Sequence, residues 1–133
     1  MERRNDVLAV DDDYDVLFAL QDVLEMEGYR VIPARDGREA LDLLRRGLRP
    51  ALVLLDLMMP EVSGWEFRAQ QMADPALAAI PVVVLSGQGL SAREVASLGV
   101  DGYLKKPVDL EQLLTTVSRY AQPQVTDEQQ TAW

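Results

Sequence analysis

The chain has 133 residues, with 13 Lys and Arg against 22 Asp and Glu, a net charge of −9, and neither cysteine nor histidine. These counts exclude a disulfide frame, a thiolate or imidazole metal site, a histidine general base and a phosphohistidine carried by the chain itself. An acidic surface repels nucleic acid phosphates and anionic lipid, so no direct nucleic acid binding and no membrane association are expected.

No apolar run approaches the roughly 18 residues of a membrane span. The first residues, Met1-Glu2-Arg3-Arg4-Asn5-Asp6, are not followed by the apolar core of a signal peptide. The expected location is the cytoplasm. At this length the chain is long enough for one domain with a core of its own.

Taken in order, short apolar runs alternate with amphipathic stretches. Val7 to Val10 is the first predicted strand. Asp12 or Asp13 caps a helix with Val16, Leu17, Leu20, Val23 and Leu24 on its apolar side and Gly28 as its stop. Arg30 to Pro33 is a short second strand. Asp36 caps a second helix, with Ala40, Leu41, Leu44 and Leu48 inward, closed near Gly47 and Pro50. Ala51 to Asp56 is a third strand, whose unbroken apolar run fits burial on both faces of a parallel sheet.

Gly64 to Met72 is a less regular helix, ended by Asp74-Pro75. Pro81 to Ser86 is the fourth strand, Ala92 to Leu98 a short helix stopped by Gly99, and Tyr103 and Leu104 lie in the fifth strand. Asp109 to Tyr120 is the last helix, with Leu110, Leu113, Leu114 and Val117 on one face. Residues 1–121 form the predicted domain. Residues 122–133 are polar, without period, and fit a tail or linker. Five β-α units with right-handed crossovers give an α/β fold, a doubly wound five-stranded parallel sheet.

The chemistry collects at the strand ends. Asp11-Asp12, Asp56, Ser86 and Lys106 follow the first, third, fourth and fifth strands, at the sheet edge where open α/β folds place ligands. Singly, each has a plain reading: an N-cap, a turn cap, a turn serine, a surface lysine. Together, three carboxylates and one ammonium suggest a divalent cation and a phosphoryl group. Carboxylates a few ångströms apart repel by about 3 kcal/mol per pair at an effective dielectric near 20, and need a counter-charge or a raised pKa. Lys106 supplies one positive charge and Mg2+ two more. In such a site Asp56 can attack phosphorus, with Ser86 offering a hydroxyl to the phosphoryl oxygens.

These segments, Val10-Asp11-Asp12-Asp13, Leu55-Asp56-Leu57-Met58-Met59-Pro60 with Gly64, Pro81 to Gly87, and Gly99 to Pro107, resemble the receiver domains of two-component response regulators. The resemblance covers about residues 6–121. It implies the flavodoxin-like strand order 2-1-3-4-5 of the CheY-like superfamily. It implies Asp56 as phosphoacceptor and Mg2+ as cofactor, held by Asp12, by Asp56, by Asp11 largely through water and by the backbone carbonyl of Met58. Ser86 matches the switch hydroxyl, Lys106 the lysine at the phosphoryl group, and Tyr103 the aromatic whose rotamer reports activation. Lys106-Pro107 is expected to be cis and Lys105 exposed. The side chains of Met58 and Gln88 stand where the family tunes dephosphorylation.

The implied partners are a histidine kinase or a histidine phosphotransfer protein as donor, and an output protein or domain that the sequence does not identify. The implied signalling surface is formed by the fourth helix, fifth strand and fifth helix. The implied role is a switch, with no enzymatic activity beyond self-phosphorylation from phosphodonors and autodephosphorylation. With only a polar segment after the last helix, the chain fits either a single-domain regulator or the N-terminal receiver of a longer one. The separation from Ser86 to Lys106 is about two residues short of the usual spacing, which predicts a short fourth helix.

Two other classes compete. A metal-dependent phosphatase similar to the haloacid dehalogenases needs a second aspartate two residues after its nucleophile, and here that residue is Met58. A phosphorylation-independent interaction module has no use for the full set of Asp11, Asp12, Asp56, Ser86 and Lys106. A flavin-binding domain of the same architecture is a further option that an absorbance spectrum tests.

Overall fold

The structure, a computed structural model, describes residues 6–59, 62–87 and 89–123. The beginning of the predicted domain, the side chain of Gln88 and the predicted tail from residue 124 onward lie outside the described residues. The elements are β1 (Asp6–Val10), α1 (Tyr14–Met26), β2 (Arg30–Ala34), α2 (Gly37–Arg45), β3 (Leu52–Asp56), α3 (Gly64–Ala73), β4 (Val82–Ser86), α4 (Ala92–Leu98), β5 (Gly102–Lys105) and α5 (Leu110–Ser118). All neighbouring strands pair in parallel, in the order β2-β1-β3-β4-β5. The direction of winding reverses between β1 and β3, the switch point at whose C-terminal edge open α/β sheets place their ligand sites.

The sheet divides the interior into two cores. Val7, Ala9, Leu52, Leu54, Val83 and Leu85 face α1 and α5, where Leu17, Leu20, Leu24, Leu113 and Val117 meet them. Leu8, Val10, Val53, Leu55, Val82 and Val84 face the other side, with Ala40, Leu41, Leu44 and Phe67. Successive strand residues point to opposite faces, so burial of both faces requires the continuous apolar runs seen in the sequence.

Local chemistry sets the helix starts. The side chain of Asp13 accepts from the N–H groups of Asp15 and Val16, and Asp36 and Asp109 cap α2 and α5 in the same way. Ser63 with Glu66, and Ser91 with Glu94, form reciprocal capping boxes on α3 and α4. Gly64 is required by close approach. A Cβ there would stand 2.6 Å from the carbonyl oxygen of Asp56 and 2.7 Å from Cα of Leu57. That approach lets α3 begin directly against the end of β3.

One predicted inward residue differs. Leu110 is 50% exposed, because it opens α5 at the rim of a groove between α1 and α5 instead of lying over the sheet. The fourth helix is short, as the spacing predicts: seven residues, of which only Leu98 is buried. Among the described residues no helix is long and apolar enough to cross a membrane.

Candidate functional site

The backbone delivers the site residues together. Asp56 and Ser86 are the last residues of β3 and β4, and Asp11 and Lys106 follow β1 and β5 by one residue. Sheet-like hydrogen bonding continues past the strands: Asp11 N–H donates to the carbonyl of Ala34 at 3.1 Å, and Lys106 N–H to that of Ser86 at 2.8 Å. The Lys106-Pro107 peptide is cis and Lys105 is exposed, both as expected.

Asp11 is fully buried and Asp56 is 4% exposed. Lys106 lies between them. Its Nζ donates to Asp11 Oδ2 at 2.6 Å and stands 3.5 Å from Asp56 Oδ1. Asp11 Oδ1 accepts from the N–H of Asp13 at 2.9 Å, and Asp56 Oδ1 from that of Met58 at 3.3 Å. The second bond folds the chain tightly after β3 and brings the Met58 backbone to the Asp56 carboxylate, while the Met58 side chain remains exposed. Ser86 is buried. Tyr103 is half-buried, pairs in register with Val84 and packs against the core on the α3 side.

Asp12 is exposed, yet its carboxylate belongs to the same cluster. Ligand oxygens of Asp11, Asp12 and Asp56 lie within 4.8 Å of one another. Three carboxylates so close carry more negative charge than one lysine offsets. Burial, and next the charge of Asp11, push the Asp56 carboxyl up from 3.8 to about 6, against the pull of Lys106 and the Met58 N–H. Burial lowers the Lys106 pKa, but the hydrogen bond and charge of Asp11, with Asp56, outweigh it and the net direction is upward. This all-oxygen donor set, with one open side at Asp12, fits a hard divalent cation that retains water.

The sequence profile of the response regulator receiver domain matches residues 7–118. The chain belongs to that family. It is 34% identical over 116 residues to the polar-differentiation response regulator DivK of Brucella anthropi, covering 86% of this chain and 94% of that one. It is 43% identical over 110 residues to the response regulator MprA of Mycolicibacterium vanbaalenii, covering 81% of this chain and 46% of that one. Its similarity to the transcriptional regulatory protein CpxR of Escherichia coli K12 is 38% over 116 residues, covering 85% of this chain and 47% of that one. The chain thus spans nearly all of the first relative and about half of the other two.

Among solved structures, a response regulator receiver protein from Pseudomonas putida superposes with a TM-score of 0.81 at 34% identity, covering 90% of this chain and 99% of that one. The chemotaxis protein CheY4 of Vibrio cholerae gives 0.80 at 31% identity, covering 89% and 99%. The chain is therefore a receiver domain of two-component signalling with a CheY-like fold. Receiver domains are signalling domains, and accepting a phosphoryl group is general to the family.

Proposed function

We propose that Asp56 is the phosphoacceptor, taking its phosphoryl group from a phosphohistidine on a histidine kinase or phosphotransfer protein. The observation that carries this reading is the buried Asp56 carboxylate with Lys106 Nζ 3.5 Å from its Oδ1 and two further carboxylates beside it. A carboxylate oxygen of Asp56 attacks phosphorus, the P–N bond of the donor breaks, and the imidazole leaves with the electron pair and takes up a proton. An aspartyl phosphate results. Lys106 offsets charge on the phosphoryl oxygens and the Ser86 hydroxyl donates to one of them.

Asp12, Asp56, Asp11 through water and the Met58 carbonyl would hold Mg2+, which when bound supplies positive charge beside the transferring group. Lys106 also borders the apolar groove formed by Val16, Ala19, Val23, Val108 and Leu113, about 630 Å³ in volume. That groove offers a donor domain an apolar seat next to the acceptor.

Phosphorylation draws Ser86 toward the acceptor, reorders the following loop and turns Tyr103 inward. The signal leaves through α4, β5 and α5, as a shift between two existing states. On this reading residues 1–121 are the receiver unit and 122–133 a tail or linker. It acts in the cytoplasm through protein partners and, being acidic, without binding nucleic acid directly. Incubation with phosphoramidate and Mg2+, then hydroxylamine treatment and peptide mapping, tests the assignment. The label is expected on the peptide that contains Asp56. A label on another residue would overturn it.

A further inference from the structure

We propose that Arg68 bolts the C-terminal end of α4 to α3, so that α4 swings about Leu98 and Gly99 with its N-terminal end free to move. The two ends of α4 are held very differently. A helix of seven residues has no stability of its own in water and depends on what it packs against. Here that is little. Leu98 is buried and Val95 half-buried, while Ala92, Arg93, Glu94, Ala96 and Ser97 are exposed. The apolar anchor therefore sits at the last turn.

The polar anchor sits there too. Arg68 is on α3 and only 7% exposed. Its Nε donates to the carbonyl of Leu98 at 3.0 Å and its Nη2 to that of Gly99 at 2.6 Å. These carbonyls belong to the end of the helix that carries partial negative charge, so the guanidinium satisfies groups left open by the helix and the dipole favours it. Its third contact, Nη1 to Gln71 Oε1 at 2.8 Å, fixes the fork. Gln71 is fully buried and donates through Nε2 to the carbonyls of Leu77 and Ile80, both at 3.0 Å. The fixed end of α4 is thus tied through two buried side chains to the segment between α3 and β4. Gly99 completes it, with a left-handed φ of 64° that favours glycine.

The other end is held more lightly: Leu90, just before its cap, is only half-buried against the core on the α3 side. Its capping box, Ser91 with Glu94, is exposed and local to α4. It is reached from Ser86 through a loop in which Gly87 and Gly89 have open space where a Cβ would lie. A displacement of that loop meets less resistance at Ser91, beside half-buried Leu90, than at Leu98, which is buried and tied to Arg68. Rotation about the bolted end is the motion this arrangement permits.

The proposal rests on the fold, and its test uses the unphosphorylated chain, so its failure would leave the assignment of Asp56 untouched. Amide hydrogen exchange is compared between the native chain, Arg68→Met and Arg68→Lys. The Val95 and Gly99 amides, which donate to Ser91 and Ala96 within α4, are expected to exchange at least about tenfold faster in Arg68→Met, with α1 and β3 amides unchanged. Arg68→Lys keeps the charge but cannot span both carbonyls, so it should fall between. Unchanged α4 exchange in Arg68→Met would overturn the proposal, as would acceleration of equal size throughout the molecule. The native chain gives an independent arm that does not depend on a variant folding. Backbone order parameters should decline from Leu98 toward Ala92, and uniform order along α4 would overturn the pivot.

Discussion

Lys106 Nζ stands 2.6 Å from Asp11 Oδ2 but 3.5 Å from Asp56 Oδ1, so its short bond is made to the fully buried carboxylate and its longer contact to Asp56, the proposed acceptor. The lysine is stored on Asp11. It is within reach of a phosphoryl group on Asp56, and a cation at the carboxylates would offset the Asp11 charge that now holds it.

Replacing Lys106 tests that storage. Lys106→Met keeps the length and loses the charge, leaving Asp11 buried without its cation. The cost should be about 1–3 kcal/mol in urea unfolding without metal. Added Mg2+ should recover part of it. A variant as stable as the native chain in metal-free buffer would show that Asp11 does not depend on this pair.

The cluster of Asp11, Asp12 and Asp56 should bind Mg2+ weakly and stabilise the fold by mass action. Asp12→Ala should abolish most of the Mg2+-dependent rise in Tm. Without metal it should leave Tm equal or higher, because one of three repelling carboxylates is gone. Equal Mg2+ shifts in both proteins would make the acidic pair purely structural.

The raised Asp56 pKa, about 6 against 3.8, sets a pH dependence. The folded carboxyl binds its proton more tightly than the unfolded one. Its stabilising contribution is therefore present below about pH 4 and is lost as pH rises through about 6. Each pKa unit is worth 1.36 kcal/mol, so the loss should be about 1–3 kcal/mol. Asp56→Asn should flatten that part of the profile and be the more stable protein at pH 7 without metal. If the native and Asn profiles run parallel between pH 4 and 7, the carboxylates do not repel as the geometry implies.

Ser86 and Tyr103 carry the proposed switch. In a beryllofluoride complex at Asp56, the Ser86 hydroxyl should bond a fluorine and Tyr103 should leave solvent. Ser86→Ala should still take up beryllofluoride, while the Tyr103 ring resonances stay near their free positions. Equal Tyr103 shifts in both proteins would place the route outside Ser86.

Much of this was legible in the sequence, for identifiable reasons. Asp13, Asp36 and Asp109 cap helices through bonds spanning two or three residues, so local order fixes them. The runs at Leu52–Asp56 and Val82–Ser86 reveal burial on both faces. Periodicity does not show which strands are neighbours: the Val7–Leu52 register joins residues far apart in sequence, and the order was available only through the family resemblance. Arg68 and Gln71 stayed hidden. They are spaced with Gly64 and Phe67 on the buried face of α3, but their polarity made α3 look irregular. Their burial is compensated by carbonyls of α4 and of the segment before β4, which only the tertiary structure supplies. The preference of Lys106 for Asp11 over Asp56 is likewise a matter of ångströms, beyond any motif.

The most direct test of the central claim is the intact mass of the native chain and of Asp56→Asn after incubation with phosphoramidate and Mg2+. The native chain should gain one acid-labile phosphoryl group, gain none when Mg2+ is chelated, and the Asn variant should gain none under any condition. Undiminished labelling of Asp56→Asn, or full labelling of the native chain without a divalent cation, would contradict the account.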